Sequence, residues 1–169
     1  MTVVGVVSDT HLRRSDAELP RVLEDGLRAA RAALILHCGD HVTGRAAELL
    51  ERIAPVQAVA GNNDPASIVE RWGYRRIVAV DGVRIGVVHG DRGRGRTTPQ
   101  RAAGAFSDEP VDVVCFGHSH QPLIARDGQV LLVNPGSPTD KRREPAFSYA
   151  LLHIADGLAT AELRTFARR

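Results

Sequence analysis

The sequence predicts a mixed α/β layered sandwich in which parallel strands come first and antiparallel strands later. In the first half, short apolar runs alternate with segments whose apolar residues follow a helical spacing, a pattern typical of parallel sheets. In the second half, apolar runs are separated by tight turns such as Asp81-Gly82 and Asp127-Gly128, which favour hairpins. No internal repeat or interdomain linker is evident, so we expect a single domain over residues 1–169.

The first half is expected to alternate three strands with three helices. Valine-rich residues 2–8 indicate a buried strand, and apolar positions from Leu19 to Ala30 follow a helical stripe. Pro55 ends one helix, and Pro65 suits the first turn of the next. The expected elements are strands 2–8, 33–37 and 56–60 and helices 16–32, 44–53 and 65–72.

The second half is expected to consist mostly of strands, with one further helix over residues 99–106. A loop rich in glycine and arginine, residues 90–98, precedes that helix. The expected strands are 76–80, 83–89, 111–116, 122–126, 129–133, 147–154 and 158–166.

Composition is ordinary for a soluble globular protein, with 43% hydrophobic and 25% charged residues. A net charge of +2 is too small to require nucleic acid, so no nucleic-acid partner is expected. The only two cysteines, Cys38 and Cys115, follow apolar runs, which argues against a disulfide framework and for a cytoplasmic protein. No signal-peptide pattern and no apolar run near the ~20 residues of a membrane span is visible, so no membrane association is expected.

Metal-ligand residue types follow five of the predicted strands. Asp9 and His11 are spaced i, i+2 directly after an apolar run, and His118 and His120 repeat this arrangement near the other end of the chain. Rigid strand ends hold side chains in place, while the loops beyond them leave room for water and substrate. The seven candidate ligands are Asp9, His11, Asp40, Asn62, His89, His118 and His120.

Mixed imidazole, amide and carboxylate ligands suit intermediate divalent ions such as Mn²⁺, Fe²⁺ or Zn²⁺. Seven ligands are too many for one ion and suit two. Two ions roughly 3.5–4 Å apart lower the pKa of a shared water and neutralise phosphoryl oxygens, which is the chemistry of phosphate-ester hydrolysis. The sequence therefore predicts a dinuclear site, with Mn²⁺ as first choice and Fe²⁺, Zn²⁺ or Ni²⁺ as alternatives.

Each motif taken alone also fits an ordinary structural role. Asp9 fits a turn or a helix cap, while Gly39-Asp40 and Asn62 fit common loop chemistry. His89 alone fits a hydrogen-bonded buried histidine. The set of motifs, in this order and at strand ends, favours metal binding over these separate explanations.

The ordered motifs resemble those of the calcineurin-like metallophosphoesterase superfamily. The family series is Asp-x-His, Gly-Asp, Gly-Asn-x-(Asp/Glu), His and Gly-His-x-His, and the resemblance runs from residue 3 to about residue 155. Chain length and the later Asn134-Pro135-Gly136-Ser137 are similar to the small YfcE-like phosphodiesterase branch. The resemblance implies an α/β fold, a four-layer αββα sandwich of two mixed β-sheets flanked by helices. The motifs stand here as Asp9-Thr10-His11, Gly39-Asp40, Gly61-Asn62-Asn63-Asp64, His89-Gly90 and Gly117-His118-Ser119-His120.

The resemblance also implies a role for each ligand. A hydroxide that bridges the two ions would be the nucleophile, and Asp40, Asn62 and His89 would be the catalytic ligands around it. Asp40 would bridge the ions. The remaining ligands would be Asp9, His11 and His120 for one ion, and Asn62, His89 and His118 for the other.

Asn63 departs from the pattern of the larger phosphatases of the superfamily, which have a histidine at this position to protonate the leaving group. An amide donates hydrogen bonds but does not act as a general acid near neutral pH. We therefore expect a preference for esters with acidic leaving groups, and Asn63 becomes a candidate substrate contact. Asp64 is expected to orient Asn62 or another ligand.

Other candidate contacts lie in loops near the ligands. Arg92 and Arg94 follow His89-Gly90 and are candidate substrate contacts, with a solvated surface loop as the alternative. For Arg13 and Arg14, two and three residues after His11, the same two interpretations apply. The loop that begins at Asn134 is expected to line the metal site, against the alternative of a plain turn.

The function best supported by these residues is a metal-dependent phosphodiesterase acting on a small-molecule phosphate ester. Relatives in this branch also suggest a homo-oligomer, either a dimer or a tetramer. The alternative from another class is a non-catalytic scaffold on the same fold, resembling the retromer subunit VPS29, in which the metal site is degraded. All seven ligand types are present here, which favours catalysis.

Overall fold

The computed structural model describes residues 1–167, which form ten strands and four helices in two five-stranded sheets. The first sheet has the order β10-β9-β1-β2-β3 and the second β4-β5-β6-β8-β7. The helices are α1 (Arg21–Ala29), α2 (Arg45–Glu51), α3 (Ala66–Trp72) and α4 (Thr98–Gly104). The strands are β1 (Thr2–Val7), β2 (Leu34–His37), β3 (Val56–Ala58), β4 (Arg75–Val80), β5 (Val83–Val88), β6 (Val113–Cys115), β7 (Leu123–Asp127), β8 (Val130–Asn134), β9 (Phe147–Ala155) and β10 (Leu158–Phe166).

The first sheet joins a parallel half to an antiparallel half. Strands β1, β2 and β3 are parallel, with Val7 opposite His37 and His37 opposite Ala58. The β9–β10 hairpin adds to β1 in antiparallel orientation, as the early-parallel, late-antiparallel prediction requires. The carboxyl ends of these three parallel strands therefore lie side by side.

The second sheet corrects the expectation that the later strands pair mainly as hairpins. The β4–β5 and β7–β8 hairpins form its two sides, but β5, β6 and β8 are mutually parallel at its centre. Helix α4 supplies the crossover between β5 and β6, and β7 is placed outside β8, so that β8 pairs directly with β6. The second sheet thus also has a group of parallel carboxyl ends.

Period-two alternation along the strands divides the interior into layers. Val4 and Val6 of β1 and Leu152 of β9 pack between the two sheets, while Val7 and Leu151 pack against the helices. In the second sheet, residues 113 and 115 face the first sheet. Residues 114 and 116 face Phe106 beside α4. The order helices, sheet, sheet, helix confirms the four-layer αββα sandwich.

Helix α1 is shorter than the predicted segment of residues 16–32. It begins at Arg21 because Pro20, at its N-cap, disfavours helical backbone in the residue before it. Leu23 and Leu27 are its fully buried residues and pack with the other apolar residues outside the first sheet. Among residues 1–167, no helix has both the length and the apolar character required to cross a membrane.

Candidate metal centre

The carboxyl ends of the parallel strands from both sheets meet at one edge of the sandwich. Asp9 and His11 follow β1, Asp40 follows β2 and His89 follows β5. Ligand crevices of open α/β sheets lie at this kind of edge, where loops leave neighbouring strands. All seven predicted ligands lie on these loops. They are Asp9, His11, Asp40, Asn62, His89, His118 and His120.

The backbone at this edge is held in an unusual conformation. Five of the seven predicted ligands have a left-handed backbone, with φ between 45° and 69°. For residues other than glycine this conformation costs about 1–2 kcal/mol each, and such strain gathers at functional sites. The sharp turns let residues two apart, such as His118 and His120, both reach the site. The five residues are Asp9, His11, Asp40, His118 and His120.

Asp9 is fully buried and only one of its carboxylate oxygens is hydrogen-bonded. The Ser8 hydroxyl donates to Oδ2 at 2.7 Å and the His118 backbone N–H donates to the same oxygen at 3.0 Å. Oδ1 has no hydrogen-bond partner among the described residues. Burying a carboxylate oxygen without a partner costs free energy. Because Oδ1 lies near the histidines, a cation bound between them would offset this cost.

Asp40 lies between His11 on one side and His89 on the other, with one carboxylate oxygen towards each. Its Oδ1 is 3.3 Å from His89 Nε2, and its Oδ2 is 3.6 Å from His11 Nε2. Asn63 holds both oxygens, since its backbone N–H donates to Oδ1 at 2.9 Å and its side-chain amide donates to Oδ2 at 2.6 Å. A carboxylate so placed has a free lone pair on each side of the site.

Two histidines are oriented through the nitrogen that faces away from the site. The Nδ1 of His89 contacts the Cys38 carbonyl at 2.8 Å, and the Nδ1 of His120 contacts the Asp140 carbonyl. A carbonyl only accepts hydrogen bonds, so in each case Nδ1 is the protonated nitrogen and donates. The neutral tautomer then presents a lone pair at Nε2 towards the carboxylates, the usual arrangement of metal-binding histidines.

The ligand atoms lie close enough together to share ions. His120 Nε2 is 3.3 Å from Asp9 Oδ1 and 3.2 Å from His11 Nε2. On the other side, His89 Nε2 is 4.0 Å from Asp9 Oδ1. Two groups have ligand atoms within 4.8 Å of one another, and Asp9 belongs to both. The groups are Asp9, His11 and His120, and Asp9, Asp40 and His89.

Asn62 and His118 complete the arrangement from its more exposed side. Asn62 Oδ1 lies 2.9 Å from His118 Nδ1, and the rings of His118 and His89 meet edge to face at 5.2 Å between centroids. The structure therefore brings all seven predicted ligands together. The nitrogen and oxygen donors fit a centre for divalent ions, as do the buried Asp9 Oδ1 and His89 Nε2, which have no hydrogen-bond partner in the part of the chain that the structure describes.

Electrostatics of the protein without ions favour a protonated His89. Burial lowers the pKa of His89, but the Asp40 carboxylate 3.3 Å from Nε2 and the charge of Asp9 outweigh it and raise the pKa to about 9. Burial by itself raises the pKa of Asp40, yet the neighbouring His89 and the hydrogen bonds from Asn63 hold that pKa well below its usual range. In the protein without ions, the proton on His89 therefore supplies part of the positive charge that a bound cation would bring.

A cation entering the centre must displace this proton, so metal binding should release protons. At pH 7 we expect release of about one proton, and an affinity that rises up to about tenfold per pH unit until the pKa of His89 is passed. Titration calorimetry with Mn²⁺ in buffers of different ionisation enthalpy measures the released protons. A pH-independent affinity and no buffer dependence would contradict this picture.

Asp64 joins the two loops that carry Asp40 and Asn62. Its Oδ2 accepts from the backbone N–H groups of Asp40 at 2.9 Å and Gly61 at 2.8 Å, and its Oδ1 accepts from Val42 at 2.6 Å. The expectation that Asp64 orients a ligand is supported for Asp40. Three N–H groups converge on one carboxylate, which fixes the spacing of the two loops.

Asp64→Asn should weaken Mn²⁺ binding by about 10- to 100-fold while the protein still folds. The amide NH₂ would face a backbone N–H donor, so one of the two loops must shift. Competition with a fluorescent chelator measures the affinity, and Asp16→Asn, on the exposed surface, is the matched control. Equal affinities for the two variants would show that Asp64 has no part in positioning Asp40.

The loop that begins at Asn134 also braces the site. The Asn134 amide donates to the Gly117 carbonyl at 2.9 Å and to the Ser119 hydroxyl at 3.1 Å. Gly117 directly precedes His118, and Ser119 lies between His118 and His120. The Ser137 hydroxyl donates to the Asp9 carbonyl at 2.8 Å. This loop therefore orients ligand-bearing segments, in line with the first of the two sequence interpretations.

The arginines singled out in the sequence have different surroundings. The Arg92 guanidinium stacks 3.8 Å above the Tyr74 ring and lies 3.4 Å from Asp91. Arg94 is exposed and, within residues 1–167, no described contact joins it to a predicted ligand. Their role in substrate binding stays a prediction. Sequence reasoning did not single out Arg142, which lines a cleft next to His11.

Comparison with known proteins agrees with this geometry. The model of the calcineurin-like phosphoesterase superfamily domain matches residues 1–157. A probable metallophosphoesterase of Methanocaldococcus jannaschii is 37% identical over 158 residues, covering 92% of this chain and 78% of that protein. A phosphodiesterase of the same organism is 24% identical over 147 residues, covering 79% of this chain and 82% of that protein.

The fold is also similar to that of a solved structure that is not named as a phosphoesterase. A Vps29 single mutant from Entamoeba histolytica superposes with a TM-score of 0.77 at 24% identity, covering 98% of this chain and 99% of that chain. At this identity the likeness concerns the fold alone. The family match and the 37% identical relative establish the wider relationship: this chain belongs to the calcineurin-like phosphoesterase superfamily.

Proposed function

We propose that this protein is a phosphodiesterase that depends on two divalent ions, with Mn²⁺ as the preferred metal. The observation that carries the proposal is the convergence of seven nitrogen and oxygen ligands around Asp9 Oδ1 and His89 Nε2, two buried atoms that have no hydrogen-bond partner within residues 1–167. Superfamily membership supports phosphoesterase activity in general. A relative named a phosphodiesterase supports the narrower diester activity.

The proposed ligand sets follow the side chains that face each other. Bound divalent ions would supply a hydroxide nucleophile at neutral pH and neutralise the phosphoryl oxygens. Asp40, with one oxygen towards each histidine group, would be shared between the ions. The proposed sets are Asp9, His11 and His120 for one ion and Asn62, His89 and His118 for the other.

Asn63 shapes the substrate preference in this proposal. Its side chain donates to Asp40 Oδ2 at 2.6 Å, so it steadies a proposed shared ligand and brings no acidic proton to the leaving group. No acidic side chain at position 63 would then protonate an alkoxide leaving group as it departs. Aryl esters, whose leaving groups are stable as anions, should therefore be the better substrates.

The rate should depend steeply on the pKa of the leaving group in the natural protein and less steeply in Asn63→His. The introduced imidazole would supply a general acid, which contributes about 10²-fold or more where the leaving group is poor. Steady-state kcat across a series of aryl and alkyl diesters measures both slopes. Equal slopes in the two proteins would contradict this role for residue 63.

The central test combines metal content with turnover. Protein purified with Mn²⁺ should contain about two ions per chain and hydrolyse bis(p-nitrophenyl) phosphate, and chelation should abolish the activity until Mn²⁺ is restored. His153→Gln is a control variant that should keep the natural metal content and turnover, since His153 is not a predicted ligand and pairs with Glu162 in the β9–β10 hairpin. Loss of turnover in the control would point to a general effect of handling.

A non-catalytic scaffold on this fold is the second candidate, and the similarity to Vps29 is the observation that favours it. The same experiment separates the two functions. Bound metal without turnover on any phosphodiester, over several metals, would favour the scaffold. The intact set of seven ligands supports catalysis.

A further inference from the structure

A polar cleft of about 360 Å³ opens directly beside the candidate metal centre. Two of its lining residues, His11 and Asn63, are also part of the centre. His11 Nε2 lies 3.6 Å from Asp40 Oδ2, and the Asn63 amide donates to the same oxygen at 2.6 Å. A phosphodiester reacting at the centre would therefore have one substituent next to this cleft.

Two arginines, Arg13 and Arg142, are among the residues that line the cleft. Arg13 is exposed and, within residues 1–167, its side chain has no ion pair or hydrogen bond. Arg142 belongs to the loop of residues 139–142, and its Nε lies 4.0 Å from Asp140 Oδ2. Asp140 is the one carboxylate among the lining residues and Arg13 and Arg142 are the two guanidinium groups, so the lining itself carries a net positive charge.

The cleft is also tied to the metal centre through the backbone. The Asp140 carbonyl accepts the hydrogen bond from His120 Nδ1, and Asp140 Oδ1 accepts from the Arg142 backbone N–H at 3.3 Å. The Ser137 hydroxyl accepts from the Asp140 N–H at 2.9 Å. The short loop that orients a predicted ligand therefore also sets the position of Arg142.

Two other cavities were weaker candidates for the same role. One, of about 540 Å³, is lined by residues that include Ser119 and Asn134 and by none of the seven predicted ligands. An apolar cavity of about 260 Å³ borders His89, but Arg92 and Tyr74 stack against each other in its wall. Of these three cavities, the cleft beside His11 combines an arginine that has no ion pair within residues 1–167 with two residues that contact Asp40, His11 and Asn63.

We propose that this cleft binds a negatively charged group, a carboxylate or a second phosphate, on one substituent of the phosphodiester substrate. The inference rests on the proposed function and narrows its substrate class to diesters with an anionic arm. Guanidinium groups suit both anions because they donate two parallel hydrogen bonds. Arg13, without a partner in the described structure, would contribute the greater share of the selectivity.

The test compares three p-nitrophenyl diesters that share one leaving group and differ in the other arm: propyl, 2-carboxyethyl and 2-phosphonoethyl. The Mn²⁺-loaded natural protein should show a kcat/KM about tenfold higher for an anionic arm than for propyl, mainly through KM. The two anionic arms separate carboxylate from phosphate recognition. The preference should shrink in 0.5 M NaCl, because salt screens exposed charges.

Arg13→Gln and Arg142→Gln should each lower kcat/KM for the anionic esters by about three- to tenfold, with kcat/KM for the propyl ester nearly unchanged. Arg14→Gln is the matched control, since Arg14 is exposed and paired with Asp16. A preference for anionic arms that survives in the double variant, or no preference in the natural protein, would overturn the inference. Turnover of the propyl ester would then leave the phosphodiesterase proposal intact.

Binding measurements decide the inference even if no ester is hydrolysed. Calorimetry compares 2-carboxyethylphosphonate with propylphosphonate on the natural protein, with and without Mn²⁺. Tighter binding of the carboxylate compound that disappears in Arg13→Gln and Arg142→Gln supports an anion-binding cleft. Equal binding of the two compounds overturns it, whatever the result for catalysis.

Discussion

Asp40→Asn should reduce kcat for bis(p-nitrophenyl) phosphate by about a thousandfold or more, and should lower the metal content to one ion or fewer per chain. Asp40 is buried and directs one oxygen to each histidine group. The amide keeps the shape but removes the charge and one of the two acceptor oxygens. Steady-state kinetics and elemental analysis on the same preparation measure both effects.

Two features make this variant a clear test. The hydrogen bond from the Asn63 backbone to position 40 is retained with an amide oxygen, so the loop should stay in place. His153→Gln should keep both metal content and kcat close to the natural values. Two bound ions and a kcat within about tenfold of natural in Asp40→Asn would remove the basis for a shared carboxylate.

Gly61→Ala should lower activity by about a hundredfold or more and weaken metal binding, although only one methyl group is added. A Cβ at residue 61 would overlap Asp40 Oδ1 and lie 2.6 Å from the Asp40 backbone nitrogen and 2.9 Å from His89 Cδ2. These neighbours are backbone and ligand atoms that have no room to move away. The methyl group would therefore push apart the loops that hold Asp40 and Asn62.

Gly44→Ala is the matched control for that substitution. Gly44 has an ordinary right-handed backbone with φ −66°, and its nearest atom to an added Cβ is the Glu48 carboxylate at 3.9 Å. We expect unchanged kinetics and a free energy of unfolding within about 1 kcal/mol of natural. Circular dichroism on thermal unfolding checks both variants, and natural activity in a folded Gly61→Ala protein would contradict the steric argument.

The elements of the fold were well predicted because apolar periodicity and turn residues act locally. The strand at residues 2–8 and the hairpin turn at Asp81-Gly82 are examples where the local pattern is sufficient. Strand pairing was harder. The centre of the second sheet is parallel because helix α4 and β7 separate β5, β6 and β8 along the chain, and no local pattern records which strands become neighbours.

The candidate site divides in a similar way. Its seven predicted ligands are recognisable as residue types at strand ends, so sequence reasoning could single them out, and the structure brings them together. The supporting contacts of Ser137 and Arg142 were not predicted one by one, since each depends on a loop that returns to the site from more than a hundred residues away from Asp9. A hydroxyl that donates to a backbone carbonyl, or an exposed arginine, has no signature in sequence.

By itself, the sequence determined the kinds of elements, the family motifs and the chemical nature of the ligands, because these are properties of neighbouring residues. The tertiary structure alone decided that Asp9 and Asp40 both lie between two groups of histidines, and that Asp9 Oδ1 and His89 Nε2 are buried with no hydrogen-bond partner among residues 1–167. It also decided that Arg13 and Arg142 share a cleft. Distances between side chains from separate strands are set by sheet pairing and packing, and those arise only when the whole chain folds.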